Sequence, residues 1–243
     1  VFAHDHARLL ARWFAAVPAA ALQDRPMLQM VALWASTFTR GPWEALARLD
    51  ASGVAASPDA AVQAHLNALR PMLLAMMDRL EDACEAGRAG LQRLPTARPF
   101  ADSVLCTAMA HVLGVLGERS EAERVLDSAR RAQGSSAFNR MYSETVAGIL
   151  DLQQGRLRQA TARFRLALGA RPDGAYTSTQ HGNAWAGVLY AAVVYEVDRL
   201  REAEQLLNVY LPLARDVGLP DHMILSHTMR ARIAHQRGDL DAA

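Results

Sequence analysis

The sequence predicts an all-α solenoid of stacked helical hairpins, and three observations predict it. The 243 residues are 51% hydrophobic but only 6% aromatic. Ala and Leu dominate, a composition that favours close-packed helices over sheets. A six-residue turn pattern recurs along the chain: a turn residue, usually an apolar residue at the third place, and a small one at the sixth. On either side of each turn, apolar side chains repeat at helical spacing.

The turn pattern is clearest at Gly155-Arg156-Leu157-Arg158-Gln159-Ala160 and is nearly repeated at Asp198-Arg199-Leu200-Arg201-Glu202-Ala203. Asp78-Arg79-Leu80-Glu81-Asp82-Ala83 is a third copy, Gly117-Glu118-Arg119-Ser120-Glu121-Ala122 a looser fourth, and Gly238-Asp239-Leu240-Asp241-Ala242-Ala243 closes the chain. Gly41-Pro42-Trp43-Glu44-Ala45-Leu46 is the weakest, with Leu in the small position. Successive turn residues are 37, 39, 38, 43 and 40 residues apart. A glycine ends a helix in the left-handed conformation at little steric cost. Asp78 and Asp198 tolerate that conformation less well and are expected instead to cap the next helix. The small sixth residue lets the second helix approach the first. Acidic residues just after the turn (Glu118, Glu121, Glu202, Asp239) suit a helix start, where the dipole is positive.

The elements follow in order. A leading helix, about 4–16, ends before Pro18. Hairpins are expected at about 26–51, 58–94, 99–132, 135–170, 175–216 and 219–243. In the fourth, Val146, Ile149, Leu150 and Leu152 cluster before Gly155. Leu157, Ala160, Phe164, Ala167 and Leu168 then mark one helical face, and Pro172-Asp173-Gly174 breaks the helix. Pro71 should kink or split the first helix of the second hairpin. One hairpin cannot bury its apolar face alone, so neighbours must stack. No gap is long enough for a domain linker, so residues 1–243 are expected to form a single array.

The repeats resemble the tetratricopeptide repeat. Gly148, Ala160, Phe164, Ala167 and Pro172 sit at its characteristic spacings. The third hairpin keeps Ala110, Ala122, Leu126 and Ala129, and the fifth keeps Ala191, Ala203 and Leu207 but carries Tyr210 at a normally small site. The resemblance implies a right-handed superhelix of about six repeats. The longer succession is more particular. Leu9-Leu10-Ala11-Arg12-Trp13-Phe14 leads to Pro18, then Arg25-Pro26-Met27-Leu28 and Ala32-Leu33-Trp34-Ala35. Much later come Tyr195-Glu196-Val197-Asp198-Arg199-Leu200, Val217-Gly218-Leu219-Pro220-Asp221 and Ala231-Arg232-Ile233-Ala234. This order resembles the C-terminal helical-repeat region of the large ATP-dependent LuxR-type transcription regulators, the MalT-like family. The resemblance implies a bacterial sensor region that binds an inducer or partner and relays it to an ATPase. The ATPase and helix-turn-helix modules of that family fall outside these residues, and the end at Ala243, where a second helix should begin, reads as a boundary inside a longer protein.

Composition narrows the chemistry. The 26 basic and 25 acidic residues give a net charge of +1, with no electrostatic footprint for direct nucleic-acid contact. Every basic residue is Arg, so these residues supply neither a Schiff-base lysine nor a phosphate-loop lysine. Cys84 and Cys106 read as buried free thiols of a reducing compartment. No run of 18 apolar residues is free of charge, so no membrane span is expected. With no signal-peptide pattern at Val1-Phe2-Ala3-His4, the expected location is cytoplasmic.

Among the 8 histidines, His4 and His6 point to different sides of a helix, and His222 and His227 lie about 140° apart around one. His227 and His235 are about 12 Å apart along the axis. No metal or cofactor is expected, and without a nucleophile elbow or metal-ligand motif the protein is read as a binder rather than an enzyme. Carboxylates pair with Arg along second helices, as Glu81 and Glu85 with Arg88, and Glu121 with Arg124.

In tetratricopeptide-like arrays the first helix of each hairpin lines an inner groove. Carried over, the resemblance implies that His65 lines it in the second hairpin, Thr107 and His111 in the third, and Tyr142 and Thr145 in the fourth. It implies His181, Trp185, Tyr195 and Glu196 in the fifth, and Thr228 and Arg232 in the sixth. Aromatic platforms and hydrogen-bonding groups of this kind suit a small-molecule inducer or a peptide or protein segment. A scaffold without an effector is the alternative. Self-association through about 220–237 is also expected, because that helix lacks most of its partner.

Overall fold

Proline and glycine punctuate the chain where a helix can use each. In the computed structural model, which describes residues 7–169, 183–217 and 220–239, α1 runs Ala7–Ala16 and stops before Pro18, and a short α2 follows at Ala19–Gln23. Pro26, Pro42 and Pro99 open α3 (Pro26–Arg40), α4 (Pro42–Ala51) and α7 (Pro99–Val115). A proline there surrenders an N–H that has no helical partner anyway. A 3-10 turn at Gly53–Ala56 separates α4 from α5 (Ala60–Met76), whose N-cap Asp59 accepts a 2.8 Å bond from the Ala61 amide. The remaining helices are α6 (Leu80–Leu91), α8 (Arg119–Ala132), α9 (Ala137–Gln153), α10 (Leu157–Ala167), α11 (Ala184–Glu196), α12 (Leu200–Val217) and α13 (Pro220–Gln236). The fold is all-α, with no strand among the described residues.

The helices pair as consecutive antiparallel hairpins. The expected pairs about 26–51, 58–94, 99–132 and 135–170 are α3/α4, α5/α6, α7/α8 and α9/α10. The fifth is α11/α12, and its expected start at 175 lies outside the described residues. By packing, the chain divides into two units, Val1–Val146 and Ala147–Ala243.

Five turns share one backbone device. Asp78, Gly117, Gly155, Asp198 and Gly238 all have positive φ, between 58° and 87°. The residue after each donates its N–H to the carbonyl five positions back: Arg79 to Leu74 at 3.0 Å, Glu118 to Leu113 at 2.8 Å, Arg156 to Asp151 at 2.9 Å, Arg199 to Val194 at 3.1 Å and Asp239 to Ala234 at 3.0 Å. This is the Schellman arrangement, which satisfies the orphan carbonyls of a helix end. It corrects the expectation for the aspartates. Asp78 and Asp198 enter the left-handed region themselves (φ 58° and 59°), and α6 starts at an Arg79 cap that makes no side-chain capping bond. Gly41, the weakest copy of the pattern, differs in geometry as well, with ψ 173°.

Small residues close the hairpins. Ala83, Ala122, Ala160 and Ala203, the sixth residues of the pattern, are fully buried. In the second unit a Cβ on Gly148 of α9 would lie 2.6 Å from the Phe164 ring of α10, and one on Gly187 of α11 would lie 2.1 Å from Tyr210 of α12. The large Tyr210 at a normally small site is thus accommodated by a glycine across the hairpin.

Pro71 does not split α5, which runs unbroken through Ala60–Met76 with Pro71 buried. An internal proline costs about 3 kcal/mol in an isolated helix, but Leu66, Leu69, Leu73 and Leu74 on either side of it are buried, and that packing holds the helix together. At the centre of the first unit, α7 is buried at every position from Ala101 to Ala110. Ser103 Oγ ties it to α8 by donating to the Ala129 carbonyl at 3.0 Å. Arg88 is not held by Glu81 or Glu85, as expected, but pairs across to Glu118 at 2.7 Å. Arg124 does pair with Glu121, at 3.1 Å. No helix among the described residues is long and apolar enough to cross a membrane.

Candidate functional site

The first helices of the first unit carry a row of rings. Trp34 and Phe38 lie one turn apart on α3, His65 on α5, Phe100 at the start of α7, and Phe138 and Tyr142 one turn apart on α9. Ring centroids are 5.4 Å apart for Trp34 and Phe100, 6.2 Å for Trp34 and His65, and 6.0 Å for His65 and Phe100. Phe38 meets Phe138 at 5.1 Å, Phe138 meets Phe100 at 6.1 Å, and Tyr142 lies 5.8 Å from Phe138. These spacings are those of favourable edge-to-face and tilted pairs. Trp34 and Tyr142 are buried, whereas Phe38, His65, Phe100 and Phe138 keep part of their surface exposed. The row is therefore half core and half lining.

His65 is its polar member. Its Nδ1 is buried without a hydrogen-bond partner. Burial is the main reason its pKa is lowered; the Arg98 cation adds to the effect and Asp102 opposes it. A neutral, partly exposed imidazole beside the Trp34 and Phe100 rings adds a polar edge to the row.

The other expected groove residues of this unit fall out differently. Thr107 and Thr145 are fully buried, and their hydroxyls donate at 2.8 Å to the carbonyls of Ser103 and Met141 in their own helices. They do not line a groove: a buried threonine hydroxyl finds its acceptor one turn back. Tyr142 is only 6% exposed, and burial pushes its phenol pKa up, so it backs the row rather than presenting a hydroxyl. His111 keeps a partly exposed edge, and burial lowers its pKa to about 4 against a weak opposing effect of Asp78.

In the second unit, Tyr195, Glu196 and Arg232 come together around a shallow recess of about 620 Å³ that Ala231, His235 and Gln236 complete. The Tyr195 hydroxyl accepts a 3.3 Å bond from Gln236 Nε2, joining α11 to α13. Glu196 and Arg232 are exposed, so the recess presents opposite charges beside a phenol. Trp185 is directed elsewhere, its ring edge-on to His222 at 6.1 Å. Thr228 is exposed but does not line the recess. His181 lies outside the described residues.

The sequence reading missed Trp34, Phe38, Phe100 and Phe138 as members of the site. Their signal was present: the rings at 34/38, 65, 100 and 138/142 recur about once per repeat, on first helices only. Among the described residues no three His, Cys, Asp or Glu side chains converge as a metal site. Cys84 and Cys106 are free and buried.

Comparison with known proteins gives a family and a relative. The family model described as "MalT-like TPR region" matches residues 64–243. The serine/threonine-protein kinase PknK of Mycobacterium tuberculosis is 24% identical over 235 residues, covering 93% of this chain and 21% of that protein. PknK of Mycobacterium bovis matches to the same extent. The chain thus spans about a fifth of the length of the curated relatives it matches. No solved structure matches it.

Proposed function

The chain belongs to the MalT-like TPR region family, and from that premise we propose that it is the sensing and docking region of a larger bacterial regulator, working by binding and not by catalysis. The ring row from Trp34 to Tyr142 is the observation that carries this reading. Rings on the first helices of successive hairpins, four of them partly open, form a platform for an apolar or sugar-like face, and the partly exposed His65 imidazole adds a polar contact. The finer reading is an effector-sensing region of a LuxR/MalT-type transcription regulator in the cytoplasm, taking a small-molecule inducer or a protein segment along the first helices. The Tyr195–Glu196–Arg232 recess is proposed as a further contact in the second unit.

A scaffold without an effector is the second reading. The kinase relative favours it, because the similar stretch there lies in a protein named for a kinase.

The test is thermal unfolding of the chain against a library of sugars and metabolites, together with capture of partners by the immobilised chain. Wild type is compared with His65→Gln and with Phe38→Ala/Phe138→Ala. An effector present at 100 times its Kd stabilises wild type by about 2.7 kcal/mol, and this gain should vanish in both variants. A partner retained by wild type and lost from the ring variant, with no metabolite required, supports the scaffold. If no metabolite stabilises the chain and the ring variant keeps every partner, the row is not the binding face.

A further inference from the structure

A second concavity of the first unit is lined by no residue of the ring row. Its volume is about 660 Å³, and it lies between α6 and α8 with Asp102 and Cys106 of α7 at its floor. That volume is in the range of small-molecule pockets. Glycines seat α6 low on α7: a Cβ on Gly87 would lie 1.9 Å from Met109 Sδ, and one on Gly90 would lie 2.9 Å from Leu105. Ala122 and Ala129 of α8 are fully buried, and the two second helices flank the floor. Leu91, Leu94, Pro95 and Val125 give the walls an apolar character.

Three arginines line this cleft, and two of them are paired with carboxylates. Arg88 is engaged by Glu118 at 2.7 Å and Arg124 by Glu121 at 3.1 Å. The Asp102 carboxylate accepts from both the amide (3.0 Å) and the hydroxyl of Thr96. Arg131 is bonded only to a neutral group: its Nη2 donates to Ser128 Oγ at 2.8 Å, and no carboxylate among the described residues lies within ion-pair distance of it. Ser128 is itself anchored, donating to the Arg124 carbonyl at 3.2 Å. This hydroxyl holds the guanidinium against the cleft wall. The Cys106 thiol, raised to about 12 chiefly by burial, stays protonated and adds no competing charge to the floor.

We propose that the α6–α8 cleft is a second binding site, for a small organic anion with a carboxylate or phosphate head on a short apolar body, recognised by Arg131. The planar guanidinium offers paired donors that fit either head, and the Leu91–Val125 walls take the body. The site uses no residue of the ring row, so the two readings stand or fall separately.

Octanoate and octyl phosphate, each below its micelle concentration, are the probes, with octanol and octylamine as controls. Binding to the 243-residue chain is followed by calorimetry and thermal unfolding. Arg131 is exposed, so Arg131→Gln should fold as wild type by circular dichroism, and Ala132→Phe fills the cleft without changing charge. The expected result is binding of at least one anionic probe, weakened tenfold or more by Arg131→Gln and abolished by Ala132→Phe, with neither control binding. Binding of only one probe identifies the head as carboxylate or phosphate. The proposal is overturned if neither anion binds, if Arg131→Gln binds as tightly as wild type, or if octylamine binds equally well.

Discussion

At the scale of single residues, the turns show how far a backbone demand outranks side-chain preference. Five positions need positive φ; three carry Gly and two carry Asp, yet all five close the same pair of Schellman hydrogen bonds. Left-handed backbone costs an ordinary L-residue roughly 1–2 kcal/mol, less for Asp, whose short side chain bonds locally. Glycine in turn loses roughly 0.5–1 kcal/mol of chain entropy on folding. Gly155→Ala is therefore expected to lower stability by about 1 kcal/mol, and Asp78→Gly to leave it unchanged or raise it by about 0.5 kcal/mol. Urea midpoints at constant m-value check both; a neutral Gly155→Ala would mean that the φ of 70° there is not required. The turn positions were legible in the sequence. The conformation of the two aspartates was not, because capping and left-handed backbone draw on the same residue type, and only the bond from the following amide separates them.

At the scale of elements, paired substitutions across a hairpin hold the meaning that single positions hide. Tyr210 looks like a departure from the tetratricopeptide pattern until Gly187 is seen under its ring, as Gly148 is under Phe164. Gly187→Ala puts a Cβ 2.1 Å from the Tyr210 ring and should destabilise by about 1–3 kcal/mol through overpacking. The double variant with Tyr210→Leu should recover part of that loss, a coupling read from a double-mutant cycle. Additive losses would show that the two residues do not compete for the same space. Pro71 makes the same point in reverse. The sequence predicts a kink or a split; the split does not occur, because apolar side chains of α5 are buried on both sides of the proline. A local rule loses to packing when the packing spans several turns.

At the scale of the whole molecule, stability should depend on pH through buried histidines. In the fold the His111 pKa lies at about 4, below its usual 6.5, and that of His65 is lowered as well. Between those pH values the unfolded chain binds more protons than the native one. The histidine contribution is thus whole above about pH 6.5 and is lost as pH falls towards 4. For His111 the loss is no more than about 3 kcal/mol, and less because one ring edge meets solvent. Chemical unfolding at pH 7 and pH 4.5 should show a steeper drop for wild type than for His111→Gln. Equal drops would place the titration elsewhere.

The all-α class, the forty-residue beat, the turn positions and most helix ends were readable from the chain alone. These rest on interactions within a few residues of one another: caps, left-handed turns and apolar spacing along one helix. Which side chains meet was settled by packing. It gathered Trp34, Phe38, His65, Phe100 and Phe138 into one row, sank Thr107 and Thr145 out of reach, and left Arg131 in a cleft with no carboxylate among the described residues at ion-pair distance from it. Those outcomes depend on how closely and at what rotation helices far apart in sequence approach each other. Glycine, alanine and ring volumes on both partners set that approach jointly, so no single helix encodes it.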